Sequence, residues 1–189
     1  MNRLWTSADL DSLPYDELKR YEIIDGELYV SSPNHIAHQA VCGEIVMALD
    51  AWSDQSRMGQ SVIAPGLVFS DYDDVVPDVV WISNERFKDA LDKNGHLRVA
   101  PELIAEVLTR GEEDERRDRE AKLLLYSRCG VTEYWIVNWM SRSIDVYHRE
   151  HRQFHHIATL TEDDSLESPL LPGFSCSIAS LFERIPANQ

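Results

Sequence analysis

Between positions 34 and 52 apolar residues recur at three- and four-residue steps. Ile36, Ala40, Val41, Ile45, Ala48, Leu49 and Trp52 line one side of a predicted amphipathic helix, with Asn34 as its cap. A capping residue at Ser7 and basic residues at Lys19 and Arg20 predict an earlier helix over 7–20. Tyr21–Val30 holds two β-rich runs around Asp25-Gly26, the signal of a hairpin turn with positive φ. Strands are expected at Ser61–Phe69 and Val75–Ile82, separated by the acidic turn 71–74. A charged stretch over 84–98 reads as a short helix and loop, and Glu102–Leu108 as a compact apolar strand. Residues 112–128 predict a helix with one buried stripe ending in Leu123–Tyr126, stopped by Cys129-Gly130. Strands follow at Glu133–Asn138, Ser143–Arg149 and Phe154–Leu160, then a short helix at Ser177–Phe182. No internal repeat or low-complexity linker interrupts this order. It describes one α/β domain over residues 1–189, a mixed β-sheet flanked by helices, with an N-terminal helix and hairpin.

Composition narrows the function classes. The 189 residues are 43% hydrophobic and 27% charged, ordinary for a globular chain. The formal net charge of −15 is not ordinary. It excludes a generally basic, polyanion-binding surface, because nucleic-acid affinity comes mainly from neutralising phosphates. A phosphate-bearing substrate then requires a local basic patch, a bound metal ion, or both. No apolar run approaches the roughly 20 residues that span a bilayer, and the N-terminus lacks a signal-peptide core, so no membrane association and a cytoplasmic location are expected. Cys42, Cys129 and Cys176 lie far apart and encode neither a disulfide framework nor a zinc knuckle.

Two lone acids in apolar strands carry the strongest chemical signal. They are Asp78, in Val75-Val76-Pro77-Asp78-Val79-Val80, and Glu106, in Ile104-Ala105-Glu106-Val107-Leu108. Burying a carboxylate without a partner is expensive. A buried pair calls for a cation, and hard oxygen ligands suit Mg²⁺ or Mn²⁺. The plainer alternative is that each acid pairs separately with an Arg or Lys. In the following helix, Asp118 and Lys122 stand four apart; on spacing alone they read as an exposed ion pair worth about 0.3–0.5 kcal/mol. His148, His151, His155 and His156 cluster within nine residues, but their spacing matches no familiar zinc site, and a solvated hairpin is the expectation. Trp81 and Trp135 read as core, and Trp139 as exposed just past a strand end.

Several runs taken together resemble one known family. They are Tyr21-Glu22-Ile23-Ile24-Asp25-Gly26-Glu27, Val76-Pro77-Asp78-Val79-Val80, Pro101-Glu102-Leu103-Ile104-Ala105-Glu106-Val107-Leu108, Lys122 followed by Tyr126, and Gly130-Val131-Thr132-Glu133-Tyr134-Trp135-Ile136-Val137. This pattern is similar to the Uma2 family, the domain of unknown function 820 group of the PD-(D/E)XK nuclease superfamily, over about residues 16–182. The resemblance implies a restriction-endonuclease-like core with a divalent ion at one end of a mixed sheet. It implies Asp78 and Glu106 as metal ligands together with the backbone carbonyl of Val107, and Lys122 as the catalytic lysine. Glu22 is implied as a further candidate ligand, His38 as a positioning group and Thr109 as a retained hydroxyl. Three features depart from the pattern, one being Asn138 after Ile136-Val137, where an Asp is more usual. Leu108 stands where the superfamily name calls for lysine, and Thr109-Arg110-Gly111 replaces the family's usual Ser-Pro-Ser.

The leading expectation is a Mg²⁺- or Mn²⁺-dependent endonuclease acting on DNA as a homodimer, in which two arginine-bearing helices are joined. Two alternatives stand beside it: a catalytically degenerate interaction or regulatory module on the same fold, and a metal-dependent hydrolase of small phosphate esters.

Overall fold

The alternating segments do form strands, but the chain distributes them over two main sheets. The structure, a computed structural model, describes residues 3–10, 12–14, 16, 19–32 and 34–185. Helix α1 covers only Ser7–Leu10, not the predicted 7–20. Pro14 lacks an N–H and disfavours helix at the residue before it, and Ser12 and Leu13 form a turn; residues 11, 15, 17 and 18 of that prediction lie outside the described residues. Strands β1 (Arg20–Ile24) and β2 (Glu27–Ser31) make the expected hairpin. Asp25 and Gly26 turn it at φ +53° and +75°. A Cβ at Gly26 would lie 2.8 Å from Leu4 Cδ2, so glycine also admits the N-terminal segment here.

Helix α2 runs from Ile36 to Ser56 and is capped by His35 rather than Asn34, the His35 Nδ1 accepting the Ala37 N–H at 3.1 Å. Both predicted strands that follow are broken in two. Ser61–Phe69 becomes β3 (Gly59–Ile63) and β4 (Leu67–Ser70), divided at Ala64-Pro65-Gly66. Val75–Ile82 becomes β5 (Asp73–Val75) and β6 (Val79–Ser83), divided at Val76-Pro77-Asp78. Each break contains a proline, which cannot donate to a ladder. At each one the chain crosses between sheets. Asp73 and Asp74 therefore belong to a strand rather than to the predicted turn, and Asp78 stands just ahead of β6 instead of inside it.

Helix α3 (Asn84–Phe87), strand β7 (Leu103–Val107) and helix α4 (Glu112–Arg116) come next. A π-helical turn (Arg117–Lys122) then leads into α5 (Leu123–Cys129), closed by Gly130 at φ +101°. The predicted continuous helix is thus interrupted. Strands β8 (Glu133–Asn138), β9 (Ser143–Glu150) and β10 (Gln153–Leu160) follow as expected. A small pair, β11 (Ser165–Glu167) and β12 (Ser175–Ser177), precedes α6 (Ile178–Phe182).

The larger sheet has the order β10-β9-β8-β7-β6-β3, and the smaller the order β2-β1-β5-β4. Only β7 and β8 run parallel in the larger sheet. Parallel neighbours need a crossover, which the α4–α5 segment supplies. Strand alternation splits the core in two. Val79, Trp81, Leu103, Ala105, Val107 and Trp135 face α2 and α6. Val80, Ile82, Ile104, Tyr134 and Ile136 face α5 and the smaller sheet. Trp81 and Trp135 are core residues, as expected. Trp139 is not exposed as expected but 2% accessible, its indole N–H bonded to the Leu108 carbonyl and its ring stacked with His35. Among the described residues, no helix is long and apolar enough to cross a membrane.

Candidate active site

Side chains from β1, the residue ahead of β6, β7, the crossover helix and α2 converge where β6 and β7 meet the smaller sheet. On β1, Arg20, Glu22 and Ile24 share one face by the two-residue period, and that face is turned inward: Glu22 is 1% exposed. Val79 pairs with Ala105 across β6 and β7, which puts Asp78 opposite Glu106 one step further on. The Asp78 amide donates to Glu106 Oε2 at 3.3 Å. From the crossover helix come Asp118, Lys122 and Tyr126, and from α2 comes His38. Glu22, Asp78, Glu106, Asp118, Lys122 and His38 are all buried.

Lys122 stands at the middle of this cluster. Its Nζ lies 3.0 Å from both Glu22 Oε1 and Glu106 Oε1, and 3.7 Å from Asp118 Oδ1. The Tyr126 hydroxyl donates to Glu106 Oε1 at 2.7 Å. Asp78 receives three donors: the Val107 amide (3.0 Å) and His38 Nε2 (3.1 Å) on Oδ2, and Arg20 Nη1 (3.1 Å) on Oδ1. Glu22 also accepts the Val76 amide at 2.9 Å. Arg117 bridges to Asp118 at 3.1 Å and to Asp114 at 2.9 Å, with Glu22 3.8 Å away. The π-helical turn makes this possible. It widens the helix where Arg117, Asp118 and Lys122 are all buried, and the Tyr134 hydroxyl satisfies the Asp118 carbonyl at 2.9 Å.

Four acids thus share three cations, and the acids respond differently. Burial pushes Glu106 up, Lys122 opposes this, and the charges of Asp78, Asp118 and Glu22 add to the rise, leaving its carboxyl at about 8. Burial also pushes Asp78 up, but the His38 hydrogen bond and the charges of His38, Lys122 and Arg20 outweigh it and hold Asp78 well below the usual range. For Glu22 the attraction of Lys122 and Arg117 overcomes burial and lowers it; for Asp118 burial wins and raises it. Lys122 is held above its ordinary value because Glu106, Glu22 and Asp118 outweigh its desolvation. A carboxyl raised first by burial and then by neighbouring carboxylates sits where added positive charge is stabilising.

Of the residues singled out from sequence, the structure brings together Glu22, His38, Asp78, Glu106 and Lys122. It corrects the reading of Asp118 and Lys122 as an exposed pair, since both are 1% exposed. Thr109 is not among the cluster: its hydroxyl bonds Asn34 Oδ1 at 3.2 Å. At Val107 the amide, rather than the carbonyl, is the group tied to Asp78. Arg20, Arg117 and Tyr126 complete the cluster and were not singled out as site residues. The alternation Arg20-x-Glu22-x-Ile24 and the four-residue step from Lys122 to Tyr126 are the signals that point to two of them.

His38, Cys42 and Asp78 also lie within 4.8 Å of one another by their ligand atoms. His38 turns Nε2 to Asp78 and Nδ1 to Cys42 Sγ, the latter at 3.5 Å. One ring nitrogen cannot serve both neighbours through a common ion, and burial keeps the Cys42 sulfur a thiol. The three form a hydrogen-bonded chain. The histidines of β9 and β10 lie on a hairpin: His155 sits across from His148, and His156 approaches Asp145 at 3.6 Å.

Beside the site, on the loop after β7, the exposed Arg110 lies 4.9 Å over the Trp139 ring, which His35 stacks at 5.1 Å. This puts one exposed guanidinium beside the His35–Trp139 stack on an acidic chain.

Comparison with known proteins bears on this geometry. No curated protein matches the chain. Among solved structures, one described as a "putative nuclease belonging to DUF820" from Anabaena variabilis ATCC 29413 superposes with a TM-score of 0.74 at 19% identity, covering 94% of this chain and 97% of that one. At that identity the likeness shows the fold, a mixed sheet flanked by helices. The Uma2 family, described as "Putative restriction endonuclease", matches residues 7–179, and the chain therefore belongs to the Uma2 family.

Proposed function

We propose that this chain is a Mg²⁺- or Mn²⁺-dependent endonuclease that hydrolyses phosphodiester bonds in DNA, in the cytoplasm and as a homodimer. One observation carries the reading: two buried carboxylates, Asp78 and Glu106, adjoin a buried lysine whose Nζ is 3.0 Å from Glu106. The donor set fits a hard divalent ion, being oxygen-rich and short of positive charge around Glu106. Asp78, Glu106 and the Val107 carbonyl would hold the ion. When bound, such an ion polarises the phosphate and lowers the pKa of a coordinated water.

The protein's own groups supply the rest. Glu22, Asp118 and the Glu106 carboxylate hold the Lys122 ammonium in one orientation, so it is preorganised to stabilise charge that grows on the phosphate. Glu22 serves the lysine in this scheme, with its Oε1 already shared between Lys122 and the Val76 amide. His38 donates to Asp78 and fixes the plane of that carboxylate. Arg110 and His35 are placed to meet the backbone of a nucleic acid approaching along the loop after β7.

The test is cleavage of plasmid and linear DNA, with RNA and small phosphate esters as parallel substrates, by the wild type and by Asp78→Asn, Glu106→Gln and Lys122→Arg. Activity on DNA that needs Mg²⁺ or Mn²⁺, and that falls at least 10²-fold in each variant, is the expected result. Undiminished cleavage by folded Asp78→Asn and Glu106→Gln would sink it. The near-complete burial of the cluster favours a second reading, a nuclease-derived module without catalysis, and a folded protein that binds no Mn²⁺ by calorimetry would establish that instead.

A further inference from the structure

The cations around the acidic cluster are not equivalent. Lys122 is 1% exposed in its side chain and Arg117 8%, whereas Arg20 is 27% exposed and is the cation of the cluster with a path to solvent. Arg20 reaches the cluster from the first residue of β1 and makes two contacts through one nitrogen. Nη1 donates to Asp78 Oδ1 at 3.1 Å and to the Val76 carbonyl at 3.3 Å. Arginine binds carboxylates most strongly through two parallel hydrogen bonds, and here only one forms.

The oxygens of the two acids show what that contact covers. Asp78 Oδ2 faces inward and is engaged by the Val107 amide and His38. Glu106 Oε1 is engaged by Lys122 and Tyr126. That leaves Asp78 Oδ1 and Glu106 Oε2 as the less engaged oxygens. Oε2 has a single long contact, to the Asp78 amide, and Oδ1 has Arg20. A divalent ion shared by the two acids needs these two oxygens, and one of them is under the guanidinium.

We infer that Arg20 is the resident counter-ion of Asp78, and that it occupies the position a divalent ion takes, so that metal entry and release of Arg20 from Asp78 are one event. This rests on the metal-ion reading proposed above. Arg20 is then a positioning residue with two settings. On Asp78 Oδ1 it orients the carboxylate in the metal-free protein. Off it, its flexible stem and solvent-facing side leave the guanidinium beside the ion, where a phosphate oxygen is its natural partner. The contact suits such an exchange, since a single hydrogen bond from a partly exposed arginine can be given up to water, and a divalent ion replaces one positive charge by two.

The experiment is calorimetric titration of the full chain with Mn²⁺ alone, comparing wild type, Arg20→Gln, Arg20→Lys and Asp78→Asn. Removing a positive charge a few ångströms from the ion should tighten Mn²⁺ binding by about tenfold or more in Arg20→Gln. Arg20→Lys, which keeps the charge, should stay near the wild type, and Asp78→Asn should lose binding. A merely structural role would move the affinity the other way, because a loosened carboxylate binds metal more weakly. Equal or weaker Mn²⁺ binding by Arg20→Gln than by wild type overturns the inference and leaves the metal-ion reading standing. Mn²⁺ binding by neither protein overturns both. Should Arg20→Gln fail to fold, the wild type is titrated with Mg²⁺ while the Arg20 side-chain Nε–H resonance is followed, assigned by its absence in Arg20→Lys. A shift that saturates with the ion supports the exchange, and a resonance that stays put through saturation overturns it.

Discussion

Asp78 and Glu106 are neighbours with opposite electrostatic fates, and the difference predicts a pH signature. Glu106 is raised to about 8, by burial first and then by Asp78, Asp118 and Glu22 against the pull of Lys122. A carboxyl raised on folding contributes stability in full below its unfolded value, near 4.5, and that contribution is lost as pH rises through about 8. Asp78 has the opposite sign: held low, it contributes above its unfolded value of 3.8 and fails only in acid. An ion that takes the place of the Glu106 proton should therefore stabilise the fold more at pH 8.5 than at pH 6. Melting temperatures with and without Mg²⁺ across that range check this, and a Mg²⁺ shift that is flat with pH would contradict it. Lys122 gives a second prediction. Its removal leaves Glu22, Glu106 and Asp118 facing one another without their shared cation, and breaking a buried ion pair from one side costs about 3–5 kcal/mol. Lys122→Met should lose that much in urea unfolding, whereas Glu120→Ala, on an exposed residue of the same turn, should be within about 0.5 kcal/mol of wild type. Activity lost in Lys122→Met then says little about chemistry unless the unfolding curve is measured alongside.

At the scale of elements, the π-helical turn Arg117–Lys122 decides whether the crossover helix reaches the site. A π turn inserts one residue relative to α-helix, and each inserted residue rotates the succeeding helix by about 100°. Deleting Glu120 should restore a continuous α-helix. It cannot then keep both Asp118 with Arg117 and Lys122 with Tyr126 turned to Glu106. The expected outcome is unchanged helical content by far-UV circular dichroism together with lost Mn²⁺ binding; a deletion variant that binds Mn²⁺ like the wild type would show the turn to be incidental. This device was illegible in the sequence. Arg116-Arg117-Asp118-Arg119-Glu120 reads as a solvated, salt-bridged face, and only packing of the smaller sheet over it turns part of that face inward. The strand breaks at Pro65 and Pro77 were hidden for a related reason: apolar runs continue through them, and periodicity does not say when a chain changes sheets. The β7 and β8 strands were legible because their short apolar runs are buried along nearly their whole length. Asp78 and Glu106 were legible as lone acids among aliphatics. Glu22, His38 and Lys122 came from the family resemblance, since a single acid in a hairpin or a lysine in a charged helix has no distinguishing local signal. Arg20 was visible only as the basic end of a predicted helix, whereas it is the first residue of β1.

For the whole molecule, the net charge of −15 constrains how a duplex, the substrate proposed above, would be held. Near the site the exposed or partly exposed basic side chains are few, among them Arg20 beside Asp78, Arg110 on the loop after β7 and Arg116 in the cleft beside β2. Acidic groups crowd the neighbouring cleft of about 510 Å³ between β2 and the crossover helix, where Asp25, Glu27, Asp114 and Glu120 outnumber Arg116 and Arg117. On the function proposed above, a duplex that approaches over the loop after β7 meets Arg110 there and the acids of the neighbouring cleft. Each phosphate neutralised contributes about −0.9 to the slope of log K against log salt. Two or three such contacts per chain therefore predict a slope of about −2 to −3, far from the roughly −6 to −10 of proteins that grip a long stretch of backbone. A dimer engaging both sites on one duplex doubles the slope without changing it per chain, so the oligomeric state and the salt series belong in the same experiment. The measurement is binding of a short labelled duplex in Ca²⁺, chosen to permit binding without turnover, from 50 to 300 mM salt, with sedimentation to count chains. A shallow slope that falls by about one in Arg110→Ala supports recognition confined to the mouth of the site. A slope steeper than about −6 per chain would mean that the acidic surface does not face the duplex at all, and that another face of the molecule carries the nucleic acid.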